Sequence, residues 1–134
     1  MVNEPDSTAM AHVVYLILNK ETERALQLLS SFYHIKPPTI AVGTVRGKRR
    51  TVYAVYVRKE AKIYATDSEI FFNPFVVLHE FYHHLRSRGG DHRGTEKHAD
   101  LYAKRFIESY KELAQRAASD ARSQSGENVG NKKN

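Results

Sequence analysis

The chain of 134 residues has no cysteine. That excludes a disulfide framework and any thiolate zinc site. It also lacks a long apolar run: the stretch 12–18 is far too short to span a bilayer. No basic stripe lines one face of that stretch, which argues against a helix lying on a membrane surface. The start, M-V-N-E-P-D, puts acidic groups before any apolar residue, unlike a signal peptide. The expectation is a soluble, cytoplasmic protein without a membrane partner. Hydrophobic periodicity is missing from residues 119–134, so that segment reads as a disordered polar tail. Residues 1–118 then form a single domain, large enough for a modest core. The formal net charge is +6, and the tail, with three basic and two acidic residues, supplies only +1 of it. A basic body permits a nucleic-acid partner but does not require one.

What is present is one dense stretch, V-L-H-E-F-Y-H-H-L-R at 77–86. Asn73 is a good N-cap, Pro74 suits the first helical position, and Gly89-Gly90 is a stop signal. Phe71, Phe75, Leu78, Tyr82 and Leu85 recur at helical spacing and predict a core-facing stripe. On such a helix His79 and His83, at i and i+4, share a face and can reach one metal ion. Glu80 stands beside them, placed to take a proton from water on the metal without ligating it. The structural alternative makes the two histidines half-buried polar residues and Glu80 a solvated charge. The punctuation of the helix favours the metal.

A catalytic zinc needs a third protein ligand and an open position. Ala99, Tyr102, Ala103, Phe106, Ile107, Tyr110, Leu113 and Ala114 predict a second helix beginning near Thr95. Glu96 and Asp100 share one face of it beside the small Ala99, which lets two helices approach. Glu96 then becomes a ligand candidate, and Asp100 could fix the ring of a ligating histidine. His92 stays open as the other candidate.

H-E-x-x-H followed by E-x-x-A-D-x-x-A-x-x-F resembles the gluzincin branch of the zincin metallopeptidases, and the tight spacing is most similar to the minimal minigluzincins. It also resembles the small H-E-x-x-H domains of phage and stress-response regulators. The likeness is motif-dense over residues 63–106, only architectural upstream, and absent after about residue 118. It implies an α+β zincin-like fold: an N-terminal helical region, a sheet of three strands or slightly more, the H-E-x-x-H helix and a glutamate helix. It implies zinc on His79, His83 and Glu96, with Glu80 as general base and Asp100 behind a ligand. A metzincin pattern fits Gly89 but does not continue at His92.

Upstream, Asp6 or Ser7 could cap a helix over 9–18, and Asn19 could cap a second stretch over 20–33. One helix or two is not decided by the pattern, and V-V-Y-L-I-L would also suit a buried strand. Pro37-Pro38 ends this region. Strands are expected at 39–46, 51–58 and 62–66, as a meander with the middle one central because both its faces are apolar. The family likeness makes the last strand the edge of the cleft, where Ile63, Tyr64 and Ala65 would pair with an extended substrate through the backbone. The basic cluster Arg46, Lys48, Arg49 and Arg50 reads as a solvated hairpin tip, since no aromatic platform is interleaved with it. His12, His34 and His98 have no metal-ligand spacing. Tyr82 and Tyr102 read as core residues, although a tyrosine at the cleft could stabilise an oxyanion.

Together these readings predict a zinc-dependent endopeptidase acting on peptide or protein substrates. The alternative is a metal-binding regulatory or nucleic-acid-associated module with little peptidase activity. Glu80 speaks against that alternative, because a structural metal needs no base.

Overall fold

Helix α1 spans Ser7–Leu18, and the Asp6 side chain accepts its Ala9 N–H at 2.9 Å. This is a computed structural model, describing residues 4–44, 53–88 and 95–133, with the side chains of 88 and 123–133 excepted. Met10, Ala11, Val13, Val14, Leu16 and Ile17 are all buried, so α1 is apolar almost all round. That explains why V-V-Y-L-I-L resembles a strand: a helix wrapped by neighbours shows no clean 3.6-residue stripe. Helix α2, Thr22–Phe32, is a separate piece. Asn19 closes α1 rather than opening α2, and Lys20 turns the chain in the left-handed region at φ 65°.

Strands β1 (Thr39–Val42), β2 (Ala54–Val57) and β3 (Lys62–Ala65) form one sheet in the order β1-β3-β2. β3 runs parallel to β1 and antiparallel to β2. The sheet is therefore not a meander, and the central strand is β3 instead of β2. Ile63 is 0% exposed and Ala65 is equally shut in, whereas on β2 only Ala54 is fully buried. The apolar residues on both faces of β2 reflect its packing on a helix, not a central place. The basic cluster at 46–50, expected at a hairpin tip, lies outside the described residues.

A one-turn helix, α3 (Ser68–Phe71), is capped by Asp67, whose side chain accepts the Ile70 N–H. The sequence pattern counts its Phe71 in the stripe of the helix that follows and gives this turn no element of its own. Helix α4, Pro74–Arg88, starts as expected, with the Asn73 side chain accepting the Val76 N–H at 3.2 Å. Its buried face is rotated from the expected stripe: Val77, Leu78, Phe81 and His84 are innermost, with Phe75, Tyr82 and Leu85 flanking them. Helix α5 is Glu96–Lys133, and the Thr95 hydroxyl caps it by accepting the His98 N–H at 3.1 Å. Ala99, Tyr102, Ala103 and Phe106 face inward as the spacing predicts. The helix continues through 119–133, which sequence pattern reads as a tail, and Ala114 to Arg122 is exposed along its length. α1, α4 and α5 pack together around Phe81, Phe106 and Ile17, and the sheet covers the far side of α4.

Candidate metal centre

The centre forms where α4 faces the first two turns of α5. Ala99, fully buried, lets the two backbones approach. His79 and His83 stand one turn apart on α4, their ring centroids 5.1 Å from each other. Glu96, in the first turn of α5, reaches both: Oε1 is 3.0 Å from His79 Nε2, and Oε2 is 2.8 Å from His83 Nε2. One donor atom from each of these three residues lies within 4.8 Å of the others. Asp100, one turn along α5, takes the other side of His79, its Oδ1 2.8 Å from Nδ1.

This geometry suits a cation. With its Nδ1–H donated to Asp100, a neutral His79 turns a bare Nε2 lone pair toward Glu96 Oε1. Two lone pairs at 3.0 Å repel unless a proton or a metal ion stands between them. The donor set is two imidazoles and a carboxylate without sulfur, which suits a divalent transition-metal ion. Burial, the largest influence, lowers the His83 pKa; His79 adds to that and Glu96 opposes it. A neutral His83 is the form that ligates.

Glu80 is 8% exposed, and its Oε2 lies 3.9 Å from His79 Nε2, outside the Nε2 contacts made by Glu96. Desolvation raises its pKa from the ordinary 4.5 to about 7. His79 lowers it, Glu96 raises it, and a backbone hydrogen bond from Tyr56 lowers it. A carboxylate with a pKa near neutrality can take a proton and return it.

His79, His83, Glu80, Glu96 and Asp100 thus come together. Ile63, Tyr64 and Ala65 do not have the place expected of them. β3 is hydrogen-bonded on both sides, so its backbone has no free edge for another strand. The strand beside Glu80 is β2. His92, the other ligand candidate, lies outside the described residues. His98 is held by Thr95, 2.6 Å from its Nδ1, and His12 stacks on Tyr15. The Tyr102 hydroxyl is buried against that of Tyr33 at 2.9 Å, so it is committed to the core.

Two residues at the centre escape the motif. His84 is 1% exposed and bonds through Nδ1 to the Tyr56 hydroxyl at 2.8 Å. Its Nε2 lies 2.8 Å from the Lys36 carbonyl. The signal was available: the i, i+4 spacing that pairs His79 with His83 also pairs Glu80 with His84. Tyr56 has no such signal, because its role depends on which strand borders α4.

Comparison with protein-family models, with curated proteins and with solved structures finds no match.

Proposed function

We propose that the protein is a zinc-dependent endopeptidase. The observation that carries this reading is a buried carboxylate, Glu80, poised beside a three-residue metal group that it does not join. His79, His83 and Glu96 would hold the ion, and Asp100 would keep the His79 ring turned with Nε2 inward. Zinc bound there supplies Lewis acidity, which acidifies water and polarises a carbonyl. Glu80 receives the proton of the attacking water on its carboxylate and passes it to the leaving amine.

An extended peptide would lie along β2. The Thr66 N–H donates to the Tyr53 carbonyl at 3.0 Å, so Tyr53, Val55 and Val57 turn their backbone groups toward β3. Ala54 and Tyr56 turn theirs outward; Tyr56 also meets Glu80 through its backbone, which leaves the Ala54 groups and the Tyr56 carbonyl to pair with a peptide. No described strand pairs with that edge. Backbone pairing there reads extended conformation and not side-chain identity.

The test is elemental analysis of the purified protein together with a broad peptide library. One zinc per chain and cleavage that a chelator abolishes are expected. Zinc-loaded protein that cleaves no peptide would overturn the peptidase reading and leave the metal-binding regulatory module in its place.

A further inference from the structure

Glu80 and His84 lie on one face of α4, one turn apart, and both meet the same residue of β2. The Tyr56 backbone reaches Glu80, and its hydroxyl lies 2.8 Å from His84 Nδ1. The tautomer of His84 follows from its other partner. A carbonyl can only accept, so the Lys36 carbonyl at 2.8 Å places the proton on Nε2. In the neutral ring Nδ1 is then a lone pair, and the Tyr56 hydroxyl is the donor. Ser87 completes the arrangement: its Oγ donates to the His84 carbonyl at 2.9 Å and lies 3.3 Å from the Tyr56 hydroxyl. The imidazole therefore ties α4 both to β2 and to the segment leading into β1. Its ring also packs edge-on to Tyr56, with centroids 5.4 Å apart.

From this juxtaposition we infer that His84 is a positioning residue. By gripping the Tyr56 hydroxyl it fixes β2 against α4 and holds the Tyr56 N–H on the Glu80 carboxylate, so that the base keeps one orientation. A fully buried histidine within hydrogen-bond reach of two elements constrains them more closely than apolar packing, because its two bonds are directional and specify which nitrogen carries the proton. His84 is not one of the three residues of the metal group. The inference rests on the peptidase reading where it concerns rate, and on geometry alone where it concerns the strand.

Three substitutions and two kinds of readout test it. Tyr56→Phe removes one oxygen and keeps the ring. His84→Phe removes both bonds. His84→Asn restores an acceptor near the Nδ1 position. In metal-free wild type, ¹⁵N chemical shifts should show His84 as the neutral Nε2–H tautomer. The backbone amide of residue 56 should be protected from hydrogen exchange, and its exchange should quicken about tenfold in Tyr56→Phe and His84→Phe and slow again in His84→Asn. In the zinc-loaded proteins kcat should fall about tenfold in the first two, with KM and zinc content near wild type, and recover in part with asparagine. An Nδ1–H tautomer, or an amide whose exchange ignores all three changes, overturns the inference. So does a loosened amide with unchanged kcat. If zinc-loaded wild type cleaves nothing, the peptidase reading fails separately, and the tautomer and exchange arms still decide whether His84 positions β2. Should His84→Phe fold poorly, Tyr56→Phe carries the same comparison.

Discussion

In the proposed reading Glu80 is the one side chain that moves a proton. Glu80→Gln keeps the shape but cannot accept a proton, so zinc should stay bound while cleavage drops by about 10²–10⁴-fold, measured by peptide turnover beside elemental analysis. The same substitution gives a stability prediction in the metal-free protein. The folded pKa of about 7 lies above the ordinary 4.5, so the folded state holds the proton more tightly between those values. Stability from this group is therefore present below pH 4.5 and lost as pH rises through 7. The variant should gain on wild type between pH 4 and pH 8 by up to about 3 kcal/mol, read from denaturant unfolding at each pH. His83 works in the opposite sense, its lowered pKa favouring the folded state as pH rises, and it is present in both proteins. Asp100→Asn keeps the size of the side chain but weakens its hold on His79 Nδ1. Metal affinity should fall about 10–100-fold in a competition titration, with less effect on the fold.

At the scale of elements, the centre joins α4 to α5, which is where a bound ion would matter for stability. Removing zinc should lower the melting temperature, by an amount that grows with metal concentration over its dissociation constant. Glu96→Ala should abolish that difference, because the carboxylate that reaches both histidines is gone. His92→Ala should leave it intact, and the opposite pair of results would reassign the third ligand. Two caps were legible from local chemistry: Asn73, and Asp6 beside the alternative Ser7, each accept a backbone N–H at a helix start, whereas Thr95 was placed by the apolar spacing after it and Asn19 closes a helix instead of opening one. The rotation of α4 was not. Phe75 and Leu85 are as apolar as Val77 and Phe81, and neighbouring elements decide which of them go inward.

Across the whole molecule, one core underlies both the bundle and the centre. Phe81 lies between the two histidine turns of α4 and packs its ring near Tyr33, His84 and Tyr102. Phe81→Ala should cost about 3–5 kcal/mol in unfolding free energy and weaken zinc binding with it, since the cavity would loosen the helix that carries both imidazoles. No helix among the described residues is long and apolar enough to cross a membrane.

Sequence alone determined what depends on neighbours along the chain. The three helix starts, the shared face of His79 and His83, and the shared face of Glu96 and Asp100 follow from periods and capping chemistry within a few residues. Facing those two pairs across α4 and α5 followed from the motif and from the small Ala99. Tertiary structure decided what depends on partners far away in sequence. Strand order is the clearest case: alternation along β2 and β3 shows which faces are apolar, but hydrogen-bond partners make β3 central and leave β2 beside Glu80. His84 is the other case. Its spacing from Glu80 is written in the chain, but its tautomer depends on Lys36 and Tyr56, 48 and 28 residues away. A directional bond between distant segments leaves no periodic trace in either.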